Sequence, residues 1–194
     1  MSATTSALSQ CHALVVAHGD QHINMMLRLC RSVGFGEAAD LAVAGFDRVD
    51  ARRVLYTLVH YDMGDEAKQR LVSALRRSER TEISFAPIVL FVPDIPYEQM
   101  LTYIAMGFDD VVCLPEKNDV LSARLEQQLN SEHIYIETPI YVGPDRRRMD
   151  VPSPIRPQRT GTGDYTRILL RRVPGEGIAV VSRQLHIRGR AVDG

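Results

Sequence analysis

Apolar residues in this chain follow two rhythms that alternate over its first two thirds. Short, nearly unbroken runs occur at "CHALVVA" (11–17), "LYTLVHYD" (55–62), "PIVLFV" (87–92) and "DVVCLP" (110–115). A strand with no polar alternation is covered on both faces, as in parallel sheets flanked by helices. Between these runs the spacing becomes helical. Ile23, Met26, Leu27 and Cys30 recur until Gly34, and Ala67, Leu71, Ala74 and Leu75 follow Asp65, a residue suited to capping. Met100, Leu101 and Ile104 lie between Pro96 and Gly107, and Val120, Leu121, Leu125 and Leu129 follow Asn118 or Asp119. The stretch from Glu37 to Val54 is less periodic. It predicts a short strand at Ala38 to Val43 and a helix rich in Asp and Arg before Leu55. Five strands alternating with five helical patterns predict an α/β fold with a doubly wound parallel sheet.

Beyond Ile136 the texture changes. "VGPDRRRMDVPSPIRPQRTGTGDY" is rich in Pro, Gly and Arg and predicts a surface linker. "TRILLRRVPGEGIAVVSRQLHIRG" offers two strand-like runs around "PGEG", the pattern of a hairpin. The expected organisation is an N-terminal arm at 1–10, a main domain at 11–136, a linker at 137–164 and a basic, partly irregular extension at 165–194.

The order of elements, with "GFDDVVCLP" closing a helix and leading into a strand that ends in proline, resembles the receiver domain of bacterial response regulators. The resemblance covers roughly residues 11 to 130. It implies a flavodoxin-like, five-stranded parallel sheet in order 2-1-3-4-5, with the site at the carboxyl ends of the strands. Receivers accept a phosphoryl group on an aspartate, with magnesium and a lysine neutralising the charge that develops on the phosphoryl oxygens. Carried across, the magnesium-holding acidic pair falls on Ala17 and His18, and the phosphoacceptor on Asp62. The hydroxyl falls on Val92, the lysine on Leu114 and the aromatic switch near Val111. Only the acceptor position keeps its residue type. Asp62, with Asp20 near it, is a poor oxygen cage, so no cofactor is expected and magnesium binding is doubtful. A receiver scaffold whose phosphorylation site is degenerate, a pseudo-receiver, is the expectation.

Composition changes this picture little, and charge changes it more. The 194 residues, 45% of them hydrophobic, suit one globular domain with an appendage. No 18-residue apolar run occurs, and the N-terminal segment lacks a basic region before its apolar run, so a cytoplasmic protein without a membrane contact is expected. Cys11, Cys30 and Cys113 are widely spaced and predict buried thiols rather than a metal site or disulfides. The net charge of −1 hides an asymmetry, with 12 basic and 18 acidic residues before position 137 and 11 basic and 6 acidic from there on. Every basic residue of the tail is arginine. "YVGPDRRRMD" is its densest part, and Arg146, Arg147 and Arg148 are candidates to dock a partner or hold an anionic ligand such as a nucleotide. Its loose likeness to the arginine-rich start of PilZ domains, which bind cyclic di-GMP, lacks their arginine spacing and later Asp-x-Ser-x-x-Gly element.

Several residues carry a bland expectation beside a functional one. Asp62 is either a phosphoacceptor or a residual carboxylate capping the next turn. His18 and His60 are expected to be hydrogen-bonded structural residues, and Asp109 with Asp110 a solvent-exposed turn. Met25, Met26, Met100 and Met106 are expected to pack. There is no Gly-rich phosphate loop or nucleophile elbow, so no enzyme is expected. The tail interleaves no aromatics with its arginines, which makes nucleic acid an unlikely partner. Signalling proteins, a histidine kinase or another regulator, are the expected partners, and a homodimer is left open.

Overall fold

The computed structural model describes residues 6–46, 50–145 and 163–187. After a 3-10 turn at Ala7–Gln10 come β1 (His12–Val16), α1 (Asp20–Val33), β2 (Glu37–Asp40), α2 (Leu41–Ala44) and β3 (Leu55–His60). Then follow α3 (Asp65–Arg76), the one-turn α4 (Thr81–Ser84), β4 (Ile88–Val92), α5 (Tyr97–Met106), β5 (Asp110–Cys113) and α6 (Asn118–Glu126). The five strands pair in parallel in the order β2-β1-β3-β4-β5, as the sequence predicts.

Strand alternation sorts the apolar side chains into two cores, one on each face of this sheet. Ala13, Val15, Tyr56, Leu58 and Phe91 pack with Met26 and Cys30 of α1 and Leu121 and Leu125 of α6. Leu14, Leu55, Val59, Leu90 and Val111 pack with Val72 of α3 and Ile104 of α5. Burial on both sides explains the unbroken apolar runs, and burial also pushes the Cys11 and Cys30 thiols up to about 12, leaving them inert. Met26 is buried, whereas Met25 is exposed.

Three local expectations change. The strand predicted at 38–43 ends at Asp40, whose carboxylate accepts from the Ala42 amide and starts α2 there. Asp50 to Arg53 form a turn rather than a helix, closed by the Asp50 side chain accepting from the Arg52 amide. Asp65 is the first residue of α3, not its cap, and its carboxylate instead receives the Lys68 ammonium at 3.0 Å.

A second, antiparallel sheet follows, built from β6 (Glu132–Glu137), β7 (Val142–Pro144), β8 (Tyr165–Val173) and β9 (Gly177–His186) in the order β7-β6-β8-β9. Strand β6 lies almost wholly before position 137, yet it pairs with the extension, Tyr135 standing opposite Ile168. Asn130, at φ 58, turns the chain out of α6 and donates its amide to the Arg172 carbonyl. Strands β8 and β9 form a hairpin around "PGEG". At Gly177 a Cβ would lie 2.0 Å from the Ala51 carbonyl oxygen, so only glycine allows the hairpin this close to the loop before β3. Phe85 of the main domain shares a core with Tyr135, Ile168 and Leu170 of this sheet. Among the described residues no helix is long and apolar enough to cross a membrane.

Candidate functional site

The carboxyl ends of the parallel strands bring the predicted positions together around Asp62. Ala17 and His18 follow β1, Val92 ends β4, and Leu114 follows β5 with its amide bonded to the Val92 carbonyl at 2.7 Å. Of these side chains only Asp62 carries a carboxylate. It lies two residues past β3, and its side chain is 14% exposed. One oxygen, Oδ2, accepts from the His18 amide at 3.0 Å and stands 2.6 Å from Nδ1 of His22, in the first turn of α1. The other, Oδ1, lies 2.9 Å from Nδ1 of His60.

His60 owes its place to strand alternation. It follows Tyr56 and Leu58 on the face covered by α1, which sets its ring 4.5 Å from that of His22. The His60 side chain is only 4% exposed, whereas His22 is 39% exposed. His22 Nδ1 also lies 3.1 Å from the His18 carbonyl oxygen, so it faces two acceptors and carries a proton. Partial burial pulls the Asp62 carboxyl up, and the His60 and His22 imidazoles with the His18 amide pull it further down, to below the ordinary carboxylate range. One carboxylate between two imidazoles is unlike the oxygen shell that magnesium demands.

Sequence reasoning placed Asp62 and His60 at this end but missed His22. The signal was available, because a parallel crossover puts the first turn of the helix after β1 beside the end of β3. Arg146, Arg147 and Arg148, the candidate anion clamp, lie outside the described residues.

The opposite end of the sheet overturns the expected exposed turn at Asp109 and Asp110. The Asp109 side chain is 3% exposed and sits between two buried arginines. Its Oδ2 accepts from Arg76 at 2.5 Å and from the Ile88 amide at 2.7 Å. Its Oδ1 accepts from Arg172 at 2.8 Å and from the Tyr135 hydroxyl. Arg172, fully buried, also donates to the Phe85 carbonyl at 3.0 Å and to Gln128 Oε1 at 2.7 Å. Arg76 donates to the Ser84, Ala86 and Gly107 carbonyls. Burial pulls the Asp109 carboxyl up, but Arg76 and Arg172 outweigh it and hold it down at about 2. Asp110 is taken by a two-pronged bond from Arg124, at 2.7 Å to each oxygen. This network joins the second sheet to the amino ends of β4 and β5.

No family model matches this sequence, and no curated protein matches it. Solved structures do. One is a putative pilus assembly-related protein of Burkholderia pseudomallei K96243, with TM-score 0.49 and 16% identity over 62% of this chain and 90% of that one. Another is the signal receiver domain of a signal transduction histidine kinase from Syntrophus aciditrophicus, with TM-score 0.43 and 15% identity over 60% and 88%. A third is a response regulator in red light signaling of R. palustris, with TM-score 0.42 and 12% identity over 60% and 90%. The assignment of the fold stands on this chain's own strand order and register.

Proposed function

We propose that this chain is a receiver-like signalling protein that works by binding other proteins, without phosphoryl transfer as its switch. The carrying observation is the carboxyl end of the parallel sheet, where Ala17, His18, Val92 and Leu114 stand at the strand ends and the Asp62 carboxylate already faces an amide and two imidazoles. Phosphoryl transfer from a small donor needs cationic help at the transferring oxygens, and the magnesium cage and the lysine are what these substitutions remove. Its partners are a kinase or another regulator, and the scaffold carries a second sheet locked to its far end. The chain catalyses no reaction of its own, and the arginines at 146–148 supply a docking charge for an anionic partner.

Incubation with acetyl phosphate and magnesium, followed by intact mass spectrometry, tests this. The expected outcome is no phosphoryl adduct over hours. An adduct lost in Asp62→Asn would instead make the chain a phosphate-accepting regulator. Restoring Asp at positions 17 and 18 should raise labelling only partly, because Leu114 still supplies no cation.

A further inference from the structure

The geometry points to a binding site for a zinc-class divalent ion formed by His22, His60 and Asp62. Three elements contribute to it: the first turn of α1, the last residue of β3 and the loop two residues on. One ligating atom from each residue lies within 4.8 Å of the others. The decisive feature is His60. Its residue is 3% exposed, and its Nδ1 stands 2.9 Å from Asp62 Oδ1, an ion-pair contact that does not reach hydrogen-bond geometry. Both atoms are buried, and neither has a hydrogen-bond partner among the described residues. Two buried polar atoms in contact without a well-formed hydrogen bond are costly, and a shared cation satisfies both.

The donor set selects the ion. Two imidazoles and one carboxylate suit zinc and its first-row neighbours, whereas magnesium requires a shell of oxygens. Ligands bonded at about 2.0–2.1 Å in a tetrahedron stand about 3.3 Å apart. The present separations of 2.6 Å and 2.9 Å from Asp62 are shorter, so the carboxylate backs away by a few tenths of an ångström as the ion enters. The ion takes the place of the proton that His22 Nδ1 now shares with Asp62. The half-exposed His22 ring opens the site to solvent, leaving a fourth position for water or for a group from a partner. This site does not rest on the interaction role proposed above.

The test uses the full chain, freed of metal with a chelator and titrated calorimetrically with zinc chloride and, separately, magnesium chloride. One zinc per chain is expected, bound about 100-fold or more tighter than magnesium. His22→Ala, whose ring is well exposed, should keep the fold by circular dichroism and weaken zinc about tenfold or more. Imidazole NMR signals of both His22 and His60 should shift on zinc addition in the parent chain, which needs no variant at all. Zinc no tighter than magnesium overturns the proposal. So does unchanged zinc affinity in His22→Ala, which would place the ion elsewhere, for example on the thiol of Cys113. The phosphodonor assay is run without zinc, so its outcome is independent of this one.

Discussion

The two ends of the parallel sheet use aspartates in opposite ways. At the carboxyl end Asp62 is reachable from solvent, stands beside a half-exposed histidine and lies near a buried histidine whose Nδ1 has no hydrogen bond. At the amino end Asp109 is sealed from water, accepts four hydrogen bonds and neutralises two buried guanidinium groups. Buried charges bonded as closely as these, with only the Arg76 Nε lacking a hydrogen bond, specify a structure, whereas partly satisfied groups near solvent are where a ligand can still be accommodated. The amino end therefore holds the molecule together, and the carboxyl end keeps buried polar atoms without hydrogen bonds close to solvent.

The harshest way to break this contrast is Asp109→Asn. It leaves Arg76 and Arg172 buried without a counter-charge, and a loss of about 3–5 kcal/mol in urea unfolding is expected. Because Arg172 belongs to β8, protection of β8 and β9 amides in hydrogen exchange should fall along with that of β5. A loss below about 1 kcal/mol would mean that the network does not join the two sheets.

Acid should dismantle the same end in two stages. Burial, with Arg172 nearby, lowers His133 from 6.5 to about 4, so the folded state resists its protonation. Its contribution is complete above about pH 6.5 and is lost as pH falls toward about 4. Asp109 drops from 3.8 to about 2 on folding, so its contribution is complete above about pH 4 and disappears as pH falls through about 2. Urea midpoints across pH 7 to 2 read both stages, and His133→Gln should remove the upper one alone.

At the carboxyl end the cost should be small. Asp62→Asn is expected to change stability by about 1–2 kcal/mol, the scale of its hydrogen bonds to the His18 amide and His22. A loss equal to that of Asp109→Asn would erase the contrast between the ends. The smallest effect is expected from replacing Arg146, Arg147 and Arg148 together by Ala. Stability should move by no more than about 1 kcal/mol. Partner association, followed by calorimetry at low and high salt, should weaken, most steeply at low ionic strength.

Asp109 shows why part of the molecule was hidden in the sequence. "GFDDVVC" looks like a polar turn before a strand, and nothing within several residues says otherwise. What buries Asp109 comes from 33 residues before it, in Arg76, and 63 residues after it, in Arg172. Arg76 itself matched a common local pattern, a cation in the last turn of a helix, which concealed its buried role. Strand β6 was missed for a similar reason, because "EHIYIE" carries only two apolar isoleucines and a tyrosine among polar residues, and its partner β8 pairs with it from across the intervening tail.

Periodicity of burial, a local property written residue by residue, was enough to predict the parallel sheet and the apolar faces of its main helices, while the strand order came from the resemblance to receiver domains. The sequence also placed Asp62 just past a strand end, with Ala17, His18, Val92 and Leu114 at the ends of other strands. That His22 and His60 converge on Asp62, and that Asp109 is shared by Arg76 and Arg172, is visible only in three dimensions. Those contacts join segments tens of residues apart, and the free energy of a buried charge depends on everything packed around it, which no local pattern encodes.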